Sequence, residues 1–136
     1  FLTGMEYRPG VHDEAYVTEL IDRLSELGPS LVAITGVSTE NERVGIVARD
    51  NRSGKMCSVM NKTLDGMFHG SGDVFASAFA ALLTRGATLD DALDTAEEFV
   101  TAAIERTAAR ATPRRNGLDF EGALPDYIDT CRKLFE

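Results

Sequence analysis

Met67-Phe68-His69-Gly70-Ser71-Gly72-Asp73 runs directly into Val74-Phe75-Ala76-Ser77-Ala78-Phe79-Ala80-Ala81-Leu82-Leu83, a glycine-broken polar turn followed by an apolar stretch. The pattern predicts a helix that opens at Asp73 and runs to Gly86, apolar on most of its circumference and so packed between other elements. The first turn of such a helix carries N–H donors without intrahelical acceptors and roughly half a positive charge. The residues there are small enough to let a ligand approach the backbone. With a carboxylate at the same place, the arrangement suits a phosphate or a reacting phosphoryl group.

Working outward, Tyr16, Val17, Leu20, Ile21, Leu24 and Leu27 recur at helical spacing until Gly28-Pro29, which predicts a helix near 13–27. Leu31-Val32-Ala33-Ile34-Thr35 reads as a short strand buried on both faces and lying inside a sheet, followed from Gly36 by a loop over Ser38 to Arg43. Val44–Arg49 and Lys55–Met60 flank the turn formers Asp50-Asn51-Arg52-Ser53-Gly54, a β-hairpin, after which Asn61 to His69 is irregular. Thr88 with Asp91 resembles a capping box for a helix whose apolar face is Ala92, Ala96, Phe99, Val100, Ala103 and Ile104. A basic loop, Arg110–Gly117, leads to a last amphipathic helix carrying Leu124, Tyr127, Ile128, Cys131, Leu134 and Phe135, with Pro125 tolerated in its first turn. The class is α/β. Three or four strands make a thin sheet for so many helices, as in a piece of a larger α/β sandwich, and Phe1-Leu2-Thr3-Gly4 reads as the tail of an apolar helical segment closed by glycine.

The 136 residues, 43% hydrophobic and 26% charged, can build one globular core. Fourteen Lys and Arg against 22 Asp and Glu leave a net charge of −8, which repels a polyanionic backbone and argues against nucleic acid as a partner. Cys57 and Cys131, far apart and in no metal-ligand spacing, indicate neither a disulfide framework nor a zinc site, so a reducing cytoplasmic setting is expected. No apolar run approaches the roughly 20 residues that span a bilayer, and no membrane partner is expected.

Gly70-Ser71-Gly72-Asp73 resembles the G-x-G-D signature of ribokinase-like kinases. With His69 through Ser77 and the upstream Val32-Ala33-Ile34-Thr35-Gly36, the chain is most similar to the pyridoxal/pyridoxamine (vitamin B6) kinases over nearly all its length. The resemblance implies the C-terminal, ATP-side half of a three-layer α/β/α sandwich, with a small, mostly buried sheet, a β-hairpin and flanking helices. It implies ATP-dependent phosphorylation of the hydroxymethyl group of pyridoxal, pyridoxine or pyridoxamine. Asp73 would be the catalytic base in contact with the substrate, and the N–H groups of Gly70, Ser71 and Gly72, with that of Asp73, the anion hole. Such kinases are about twice this long. Their N-terminal half, with the vitamin-contacting residues and an Asn-x-x-Glu motif that organises Mg2+, would precede Phe1. The isolated chain is accordingly expected to lack appreciable kinase activity.

The same resemblance places Thr35 and Gly36 near the ATP phosphates, and Met60 and Asn61 beside the nucleotide; strand-end turn chemistry and hairpin packing account for these residues equally. Val100, Ala103 and Thr107 would line the adenine pocket, although a stripe of small apolar residues on a helix also describes core. His69 either touches substrate or phosphate or is a solvated loop histidine, and Arg114 and Arg115 either clamp phosphate or lie on a solvated surface. The alternatives within the superfamily are hydroxymethylpyrimidine kinases, which typically carry Cys where Asp73 stands, and sugar kinases, which tend to have alanine between the glycines. Outside it, the alternative is a non-catalytic nucleotide-binding half-domain that completes an open strand edge by forming a homodimer.

Overall fold

The computed structural model describes residues 2–40, 42–62, 68–110 and 117–136. Met67, Arg114 and Arg115 lie outside them. The chain divides into two compact units, Phe1–Leu64 and Asp65–Glu136. Among the described residues no helix is long and apolar enough to cross a membrane.

The first unit opens with helix α1 (Glu14–Ser25), started by Asp13, whose carboxylate accepts the Tyr16 N–H at 2.7 Å. Leu2 and Thr3 form a turn before Gly4. Three antiparallel strands follow in the order β1 (Leu31–Thr39), β2 (Arg43–Asp50), β3 (Met56–Lys62). Val17 and Ile21 of α1 pack on Val32, Val37 and Val47 of the sheet, with Leu24, Ile34 and Met60 at the margin of that core. Burial of this face supplies most of the unit's stabilisation. Arg49 fastens the far end of α1 to the hairpin, donating to Asp22 at 2.6 Å, to Ser25 Oγ at 2.7 Å and to Asn51 Oδ1 at 2.9 Å. In the hairpin turn the Arg52 N–H and then the Ser53 hydroxyl donate to Asp50, holding its carboxyl below the usual carboxylate range.

β1 departs from expectation in two ways. Among the described strands it is an edge rather than an interior strand, and only Val32 and Val37 are buried, so it is not covered on both faces. Burial in the sheet is greatest in β2, where Ile46, Val47 and Ala48 are buried. β1 also continues to Thr39, because a β-bulge between Thr35 and Val37 absorbs Gly36, at φ 73°, without ending the pairing. The expected loop over Ser38 to Arg43 therefore shrinks to the residues between Thr39 and Arg43, with Glu42 at φ 52°, and β3 likewise extends through Asn61 and Lys62. Gly45 is fixed by packing, because a Cβ there would run into the Val59 carbonyl and the Met60 backbone.

The second unit is helical: α2 (Ser71–Thr84), α3 (Leu89–Ala109) and α4 (Leu124–Phe135). Thr88 caps α3 by accepting the Asp91 N–H at 3.2 Å and donates its hydroxyl to the Asp91 carboxylate at 2.6 Å. α2 buries Phe75, Ala78, Phe79 and Leu82, while Ala76, Ser77, Ala80 and Ala81 are exposed. The expectation of burial around the circumference overcounts alanine, which favours helix without requiring cover. Phe75 stacks on Phe79 and Phe99 on Tyr127, with centroids 5.2 and 4.5 Å apart, and the Tyr127 hydroxyl donates to the Ala78 carbonyl at 3.3 Å.

Candidate active site

The start of α2 is set by Gly70, which adopts φ 88°, ψ −3°, a left-handed conformation costly for residues with a Cβ. That turn lets Phe68 accept the Ser71 N–H at 3.3 Å and Gly70 accept the Val74 N–H at 3.0 Å. No side chain caps the helix. The N–H groups of Gly72 and Asp73 therefore find no acceptor among the described residues. A Cβ on Gly72 would meet nothing within 4 Å, so the backbone there faces open space. Asp73, the third helical residue, is exposed, and its carbonyl accepts the Ser77 hydroxyl at 2.8 Å. Ser71 is half-buried, and His69 is exposed in the turn just before. Two outward amides at the positive end of a helix can bind the oxygens of a phosphoryl group, and the carboxylate on the second of these residues can take a proton beside it.

In the first unit the four residues expected near the nucleotide gather at one end of the sheet. Thr35 stands opposite Ile46, Gly36 forms the bulge, Met60 stands opposite Gly45 and Asn61 opposite Val44. One strand separates the pairs, a span of about 10 Å at the usual strand spacing. They do not share a face: Met60 packs at the edge of the α1 core, whereas Thr35 and Asn61 alternate to the other side. Thr35 is exposed, and a Cβ on Gly36 would meet nothing within 4 Å. Met60 and Asn61 also line an opening of about 370 Å³ with Glu42, Arg43 and Lys62. Arg43 and Lys62 are cross-strand partners, two cations directly opposite, which costs a hairpin stability unless an anion lies nearby. Sequence reasoning passed over this pair; basic residues at the open ends of both hairpin arms were the signal.

Val100, Ala103 and Thr107 are core residues of the helical unit, Ala103 without any exposed surface. Thr107 donates its hydroxyl to the Ala103 carbonyl at 2.6 Å and accepts the Asp119 N–H at 2.8 Å. For Mg2+, no group of three His, Cys, Asp or Glu side chains among the described residues comes together to hold an ion.

A model of the phosphomethylpyrimidine kinase family matches residues 2–116. The chain belongs to that family. Pyridoxine kinase of Bacillus subtilis (strain 168) is 31% identical over 108 residues, covering 78% of this chain and 38% of the relative. Among solved structures, a Bacteroides thetaiotaomicron VPI-5482 protein described as a phosphomethylpyrimidine kinase and crystallised with pyridoxal is 27% identical, with a TM-score of 0.78 over 90% of this chain and 43% of its own. Pyridoxal kinase of Lactobacillus plantarum is also 27% identical, with a TM-score of 0.73 over 94% and 45%. The fold is thus that of the ribokinase-like pyridoxal kinases, and the chain spans less than half the length of these relatives.

Proposed function

We propose that this chain supplies the anion hole and the general base of an ATP-dependent kinase that phosphorylates the hydroxymethyl group of a vitamin B6 vitamer. The observation that carries the reading is the opening of α2, where the N–H groups of Gly72 and Asp73, without an acceptor among the described residues, lie beside the exposed Asp73 carboxylate at an uncovered glycine backbone. The vitamer's primary alcohol gives its proton to the Asp73 carboxylate as its oxygen attacks the γ-phosphorus. The bond from the β–γ bridging oxygen to that phosphorus breaks, and ADP leaves with the bond's electrons. The amides at the helix start stabilise charge on the moving phosphoryl oxygens. Thr35, Gly36, Met60 and Asn61 are assigned to the nucleotide by the family resemblance, and Arg43 and Lys62 add two cations at the same end of the sheet.

The B6 kinases among the relatives, and a carboxylate at position 73, favour a vitamer over a pyrimidine. The family match itself supports the second reading, phosphorylation of hydroxymethylpyrimidine. A substrate panel on the intact protein with ATP and Mg2+ separates them. Pyridoxal, pyridoxine or pyridoxamine should be turned over at a higher kcat/KM than hydroxymethylpyrimidine or ribose, and the reverse order would refute the vitamer reading.

A further inference from the structure

His12 sits where the N-terminal segment meets the outer edge of β1. Its backbone N–H donates to the Ser38 carbonyl at 2.8 Å, and the Ser38 N–H donates to Nδ1 of the imidazole at 3.1 Å. The other ring nitrogen, Nε2, lies 2.9 Å from the Arg8 carbonyl. A backbone N–H can only donate and a carbonyl can only accept, so the two contacts together select one neutral tautomer, with the proton on Nε2 and the lone pair on Nδ1. The ring is stacked on Tyr16 at 5.5 Å between centroids, and the Arg8 guanidinium lies 4.9 Å from the Tyr16 centroid. Ser38 pairs with Val44 on its inner side, so these contacts close the strand's outer edge just beyond the Gly36 bulge.

We propose that His12 is a proton-operated clasp: the neutral imidazole holds the N-terminal segment on β1, and a second ring proton releases it. Protonation would put an N–H on Nδ1 facing the N–H of Ser38, turning a hydrogen bond into two opposed donors and leaving the Ser38 amide without a protein acceptor. The charged and titratable groups around the ring are Arg8 from the segment itself, Asp13, Glu14 and Tyr16 from the start of α1, and Cys57 across the groove that His12 lines. The Asp13 carboxylate is engaged by the Tyr16 N–H, and β1 and β2 line the groove with the neutral Val37, Thr39 and Val47. Glu14 is the carboxylate that lines the same groove as His12. The clasp lies two residues from Gly36 in sequence, so its release would loosen the end of the sheet that carries the bulge.

Amide exchange of the 136-residue chain by NMR tests this, compared as protection factors at about pH 7.5 and about pH 5. Ser38 should lose protection by roughly tenfold or more on acidification, with a midpoint matching the ring titration of His12, while Val47 in the central strand keeps its own. His12→Asn places a non-titrating oxygen where Nδ1 lies and should keep Ser38 protected at both pH values; His12→Ala should leave it unprotected at both. Ser38 protection that does not follow the ring titration, or that falls equally in His12→Asn, would overturn the clasp. The experiment needs neither nucleotide nor vitamer, so the clasp stands or falls independently of the kinase reading.

Discussion

The Thr107 hydroxyl accepts the Asp119 backbone N–H at 2.8 Å, tying the last turns of α3 to the chain that re-enters after it. The buried Asp119 carboxylate completes the tie by accepting from Arg110 at 2.7 Å and from Arg106 at 3.2 Å. Thr107 thus works inside the helical unit, and its loss should be read in stability. Thr107→Val keeps the shape but leaves a buried N–H unpaired, at a cost of about 1–3 kcal/mol. Thr107→Ser keeps the hydroxyl and should cost about 1 kcal/mol for the lost methyl. Urea denaturation of both variants checks the order; a Val variant as stable as the parent would show that the bond contributes nothing.

Tyr127 gives the helical unit an alkaline limit. Burial, and then its hydrogen bond and charge interaction with Cys131, push its phenol from the ordinary 10.0 up to about 12. An acid with a raised pKa is favoured in its protonated form by the fold. Its contribution is therefore present in full below about pH 10 and is lost as pH rises through about 12. The difference in phenolate absorbance between the parent and Tyr127→Phe should emerge near the upper value, together with loss of helix signal. Emergence near pH 10 would mean that the ring is not sequestered against α2 and α3.

Much of this was legible locally. The Thr88 cap, the left-handed Gly70 that opens α2 and the hairpin around Asp50 to Gly54 are each decided by residues within a few positions of one another, where propensity and hydrogen bonding act directly. Thr35-Gly36 misled for a physical reason: a Thr-Gly pair that ends a strand and one that bulges within it carry the same local signal, and pairing with Ile46 and Gly45 decides between them. The Thr107–Asp119 tie and the His12–Ser38 clasp join residues 12 and 26 apart, and no periodicity announces such contacts. At the candidate site the helix start could be read from the sequence. The burial of Val100 and Ala103 on the apolar face of α3 could be read as well, but not what covers them, since a small-residue stripe looks the same under a helix or a ligand.

Gly72 separates a role in folding from a role in chemistry. It is the second helical residue, with open space where a Cβ would lie, so Gly72→Ala should fold as well as the parent or gain up to about 1 kcal/mol from helix propensity. The added methyl occupies the space through which a phosphoryl oxygen would reach the Gly72 and Asp73 amides. In the intact enzyme kcat/KM should fall by at least roughly tenfold while the melting temperature holds or rises. Unchanged catalysis in a stable Ala variant would place the transferred group elsewhere.

Asp73→Asn tests the proton acceptor itself. The side chain is exposed in the first turn of α2 and no hydrogen bond among the described residues fixes its carboxylate, so the amide should be accommodated without structural loss. The outward N–H groups are backbone and survive the change, so the proposed anion hole is left in place. What disappears is the oxygen to which the proposed mechanism assigns the alcohol proton, and turnover in the intact protein should then fall by roughly 10²–10⁴-fold with nucleotide affinity nearly intact. The split between the two parameters is the decisive reading. Loss of ATP affinity with turnover preserved would make Asp73 a binding residue, and near-normal values of both would remove it from the mechanism.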